Sequence, residues 1–194
     1  MTIDRKQPGL TLLLVSLCLG ILGLSAVAVQ AAEFTVRDAR THQVDGVYQL
    51  EADIRYQFSD PVHEALANGV PITIRLQVEI EQRRNYLWNK SITSLQQVYT
   101  LEYHALSEQY LVRNVSRGQQ QNFRSLNTAL LTMGEIRALP ILDERLLTGK
   151  PSTYQVRLRS EIDLNALPAP LRPVAWLSSD WKIRSEWFVC PLRS

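Results

Sequence analysis

The residues able to do chemistry are few and scattered along this chain of 194 residues. His42, His63 and His104 are its only histidines. A zinc site draws three or four close ligands with short characteristic spacings. No two of these histidines lie three or four apart, and none stands so with Cys190, so the pattern points to no metal site and no resident cofactor. Ser178-Ser179-Asp180 reads as a loop whose hydroxyls cap or turn the backbone. A G-x-S-x-G elbow is absent, as are a Walker loop and a G-x-G-x-x-G fingerprint. Glu79 and Glu81, two apart on one strand, project from the same face about 7 Å apart, within the separation that glycosidases use. They share the polar side of an alternating strand with Arg75, Gln77 and Arg83 and read as a solvated, charge-paired face, as do Glu51 and Asp53. No residue is assigned a catalytic role, and an enzyme is the least supported class.

Two groups lean toward binding instead. Arg83, Arg84, Tyr86 and Trp88 fall in a run that breaks the surrounding alternation and reads as a loop or strand extension. Arg172, Trp176, Trp181, Lys182, Arg184 and Trp187 form the second group. Arginine beside tryptophan is common at protein hot spots and at membrane interfaces. Trp181 and Trp187 share the apolar parity of their segment and are expected in the core. That leaves Arg83, Arg84, Tyr86, Trp88, Arg172 and Trp176 as candidate partner-binding residues.

The elements that must position them are strands. Every even position from Tyr48 to Phe58 is apolar and every odd one polar, the signature of a strand with one dry face. The same alternation recurs over Val70–Ile80, Tyr99–Tyr103 and Tyr154–Leu164, and more loosely over Trp181–Val189. Phe34–His42 and Tyr110–Val115 are weaker strands. Asp45-Gly46 supplies a hairpin turn and Ala105–Glu108 another. A helix capped by Asp60 starts at Pro61 and ends by Gly69, and a second runs from Ser125 to Gly134. A single turn is expected within Asp143–Gly149, and an extended crossover over Ala166–Val174, stiffened by Pro168, Pro170 and Pro173. One-sided alternation belongs to antiparallel sheets. The expected fold is mainly β: an antiparallel two-sheet sandwich, Ig-like in general architecture, with two or three short helices. A single curved sheet covered by the 125–133 helix is the alternative.

Residues 1–31 read as a separate address. A weakly charged start precedes an uncharged run from Gly9 to Val29, and small residues follow. This is the order of a secretory signal peptide, with cleavage after Ala31 or Ala28, but the run is also long enough for an uncleaved membrane anchor. Leu17 before Cys18 does not fit a lipidation site. Residues 32–194 then form one exported β-rich domain, periplasmic, soluble after cleavage or tethered by residues 9–29. That domain holds a single cysteine, Cys190, read as a packed small hydrophobe or a thiol for intermolecular pairing. Without Asp4, Arg5 and Lys6 the net charge falls from +2 to +1. Such balance argues against nucleic acid as partner and offers no overall steering field.

YQLEADIRYQFSD, ALANGVPITIRLQVEI with RRNYLWN, LEYHALSEQYLVRN, FRSLNTALLTMGEI and RLRSEIDLNALPAPLRPVAWLSSDWKIRSEW together resemble domain-of-unknown-function family 4390, over most of residues 33–188. The resemblance implies an exported proteobacterial envelope protein, associated with a membrane sensor system, and supplies no catalytic residues. The expected function is a non-catalytic interaction or accessory module whose partner is an envelope protein or the membrane surface. The alternative is a periplasmic carrier of an apolar or lipid ligand held between the sheets.

Overall fold

Alternation dictates the strands that carry the core. On β3 (Ile72–Gln82) the side chains of Ile72, Ile74, Leu76, Val78 and Ile80 are fully buried. On β8 (Tyr154–Ile162), Tyr154, Val156 and Leu158 are equally so, and on β2 (Val47–Tyr56) Tyr48 and Leu50. The computed structural model describes residues 32–84 and 86–193. The leader reading of residues 1–31 falls outside the described residues. No helix among the described residues is long and apolar enough to cross a membrane.

Around these strands the chain lays down β1 (Phe34–Val44), α1 (Asp60–Ala67), β4 (Lys90–His104), β5 (Gln109–Asn114), β6 (Gln119–Phe123), α2 (Leu126–Gly134), β7 (Glu135–Asp143), α3 (Arg172–Leu177) and β9 (Phe188–Pro191). They build two antiparallel sheets, one in the order β1-β2-β7 and the other β6-β5-β4-β3-β8-β9. The expected mainly β two-sheet architecture is present, with three strands against six. Two faces dry on one side bury each other, and all the core residues described lie between Phe34 and Leu192. Residues 32–194 separate as one compact unit with its own core, the property that lets a segment fold without its flanks.

Local chemistry explains the connections. Asp45 (φ 50°) and Gly46 (φ 78°) form the two-residue turn that the twist of a hairpin favours. Ser125 Oγ accepts from Thr128 N at 3.2 Å and caps α2, which fills the space beside β2 and against β5, β6 and β7. On the opposite flank β1 lies against β9. There Thr41 Oγ1 donates to Pro191 O at 3.2 Å and accepts from Arg193 N at 2.8 Å.

Several expectations are corrected. Asp60 does not cap α1: Ser59 holds the cap position, and its hydroxyl donates to Asp180 O at 2.7 Å instead. The Ala166–Val174 crossover is not extended. It turns into α3, whose first turn accepts Pro173 because no helical N–H is needed there. The last strand is only Phe188–Pro191; Ser179–Trp181 is a 3-10 turn, and a single bridge joins Glu161 to Arg184. Trp181 is buried as expected, but Trp187 lies on the outer face. The guanidinium groups of Arg157 and Arg159 stack over its ring at 4.4 and 4.6 Å.

Cys190 is buried. Burial, reinforced by the nearby Asp38 charge, pushes its thiol up to about 11, so little thiolate exists near neutrality. In a chain starting at Ala32, alkylation at pH 8 should run more than about a hundredfold slower in the folded state than in urea, since the thiolate is the nucleophile. Equal rates in the two states would place the thiol at the surface.

Candidate functional site

β3 and β4 are the longest central pair, 11 and 15 residues, and the hairpin between them carries the first predicted cluster. Strand alternation stops at Gln82, past a register shift at Ile80/Glu81. The base of the loop is pinned: Arg83 N donates to Thr153 O at 2.8 Å, and Arg83 Nη2 donates to Ser152 O at 2.7 Å. Beyond that anchor nothing among the described residues covers the tip. Tyr86 is 97% exposed, Leu87 70% and Trp88 93%. Leaving three such side chains in water forgoes roughly 5 kcal/mol of burial, which a stable fold does not require of a loop. Leu87 was not singled out from the sequence, although it completes the apolar tip.

The hairpin itself is cationic, with Arg83, Arg84 and Lys90 around its tip. Residues 82–134 as a whole carry six cations against two carboxylates, Glu102 and Glu108, but Arg113, Arg117 and Arg124 stand alongside Val98–His104, toward the other end of β4. The near-zero net charge therefore hides a segregation along the chain. The β7–β8 connection brings Arg145 and Lys150 to the same end together with Asp143 and Glu144, because it supplies the carbonyls that pin Arg83 and its Glu144 N donates to Gly46 O at 2.8 Å, beside Asp45; the excess of positive charge therefore belongs to the hairpin. β4 also has an open edge. β5 pairs only with Tyr99–His104, so among the described residues no strand flanks Lys90–Gln97 on the side away from β3.

The other predicted cluster is not brought to this site. Arg172 and Trp176 belong to α3, near the opposite end of β3. The Arg172 Nε donates to Leu167 O at 2.7 Å and braces the preceding turn. Trp176 borders a solvent-open groove of about 390 Å³ with Arg75, Glu161, Asn165, Lys182 and Arg184. A second open groove, about 720 Å³, runs beside α2 between Arg55, Tyr56 and Leu131.

The carboxylate pair is charge-paired as expected, both facing Arg157, but one member is not exposed. Glu81 is not solvated: it is 8% exposed. Arg157 Nη1 donates to its Oε1 at 2.8 Å, and Asn89 Nδ2 and Gln155 Nε2 donate to its Oε2 at 3.0 and 3.1 Å. Desolvation by burial is the largest single influence and pushes its pKa up. The three hydrogen bonds and the Arg157 charge together outweigh it and hold the carboxyl below its usual range. Glu81 thus stays a carboxylate at neutral pH, a lock between β3, β8 and the hairpin base. The histidines sit on β1, α1 and the end of β4, with His104 Nε2 3.6 Å from Glu102.

A family model described as Domain of unknown function (DUF4390) matches residues 31–191. No curated protein and no solved structure matches the chain.

Proposed function

We propose a role for this chain, which belongs to the DUF4390 family: a non-catalytic accessory module of the cell envelope, exported behind its apolar leader, that docks through the β3–β4 hairpin. The observation that carries the reading is the uncovered Tyr86-Leu87-Trp88 tip on a base fixed by hydrogen bonds. A rigid base with an apolar tip is organised for contact before any partner arrives, which reduces the ordering cost of association. The cations around it favour a partner surface of negative charge. The order of an uncharged run at residues 9–29 ahead of the domain supports placement at the envelope, where the family resemblance points to a membrane sensor system.

A photo-crosslinking residue at position 87 of the full chain, activated in cells, tests this directly. The tip should yield discrete adducts, protein or lipid, and the Arg84→Ala/Trp88→Ala double variant should lose them by about tenfold, as expected for hot-spot truncation. Adducts of equal yield in the double variant would remove the hairpin from the contact.

A further inference from the structure

The reading of the hairpin as the docking element leaves open what it enters, and the inference drawn next rests on that reading. We infer that the partner is an anionic lipid surface, with Leu87 and Trp88 entering the acyl boundary and Arg84 and Lys90 held at the headgroups. Tyr86, Leu87 and Trp88 are consecutive and all largely uncovered. Consecutive side chains on an extended or turning backbone point to different sides, so the three do not share one protein pocket. A protein hot spot seats an anchor in a shaped cavity, whereas a bilayer is apolar on every side of an inserted tip. The residue types fit the depth: tryptophan and tyrosine keep a polar tip at headgroup level while their rings leave water.

Charge fits the same occupant. From Gln82 to Leu101 the chain carries Arg83, Arg84 and Lys90 and no carboxylate, and the adjacent Glu81 is already engaged by Arg157. Juxtamembrane lysines and arginines each strengthen attraction to an anionic leaflet severalfold. An apolar tip flanked by Arg84 and Lys90 on its own hairpin is the combination that gives reversible attachment, since either signal alone binds weakly.

The test uses the chain starting at Ala32, so that the leader plays no part, with vesicles of mixed phosphatidylglycerol and phosphatidylcholine and with pure phosphatidylcholine. Cosedimentation is expected with the anionic vesicles, about tenfold weaker on the neutral ones, and falling as salt is raised. Trp88→Ala should weaken binding by about tenfold, and Arg84→Gln/Lys90→Gln by a similar factor. Trp88→Phe should bind within about twofold of wild type yet lose the fluorescence quenching caused by brominated acyl chains. Each variant should keep the wild-type denaturation midpoint, because the altered side chains are exposed. Failure to bind anionic vesicles at low salt, binding unaffected by Trp88→Ala, or quenching that survives in Trp88→Phe would each overturn the lipid inference. If the position-87 crosslinker then yields protein adducts that the double variant loses, docking through the hairpin stands with a protein partner. Loss of neither lipid nor protein adducts in that variant would sink both readings.

Discussion

Gly134→Ala is expected to destabilise the domain by about 3 kcal/mol, with a melting temperature about 6–12 °C lower for a chain of this size. Gly134 ends α2 where the helix is pressed onto β2. A methyl group there would fall inside the van der Waals radius of the Ile54 carbonyl oxygen and 3.1 Å from its carbonyl carbon. Both are backbone atoms of β2, where Ile54 pairs with Val36 of β1 and directly follows Asp53, the last partner of β7, so neither moves aside without disturbing that ladder. Urea denaturation of the variant reads the loss directly. A change below about 0.5 kcal/mol, the size of a neutral surface substitution, would mean that α2 does not bear on β2 as described.

Glu81→Ala should cost about 2–3 kcal/mol at neutral pH, because it leaves Arg157 half covered and without its nearest acceptor. Glu81→Gln keeps the shape and removes the charge, and its defect should depend on pH. The folded state prefers the carboxylate, so protonation favours unfolding. The stabilisation is complete above the usual 4.5 of a glutamate and disappears as pH falls through the lower folded value. The difference between wild type and Glu81→Gln should therefore be constant near pH 7 and shrink on acidification below about 4.5. A gap that widened on acidification would assign the group a raised pKa and return it to consideration as a proton donor.

Much of this architecture was legible as alternation. β2, β3 and β8 announce themselves because one face of each is fully buried. β6 does not, since Gln119–Phe123 lies at a sheet edge and four of its five residues are exposed. β7 hides its pattern because Ala138 sits at φ 48° and Pro140 interrupts the ladder, with register shifts on its partner; an edge strand tolerates both. Glu81 keeps the parity that alternation assigned it, in unbroken register with β8, but Asn89, Gln155 and Arg157 cover it. Trp187 misled in the opposite sense, as its ring stacks under the guanidinium groups of two arginines rather than in the core. The docking tip was visible in residue type, as Tyr86 and Trp88 beside arginines. Its grouping with Arg145 and Lys150 was not, because it depends on a loop some 60 residues further along the chain closing over the hairpin base. Arg172 shows the converse: a cation of the right type whose guanidinium is occupied by a backbone carbonyl.

The flank where β1 meets β9 has a temporal consequence. β1 opens the described fold at Phe34, yet its outer neighbour is supplied by residues 188–193. β3, at the heart of the larger sheet, waits for β8 some 85 residues later. A growing polypeptide that has not reached residue 193 is missing the last wall of its interior, and pairings this distant in sequence form slowly. The interior of this fold is therefore sealed only when the segment around residues 188–193 is in place.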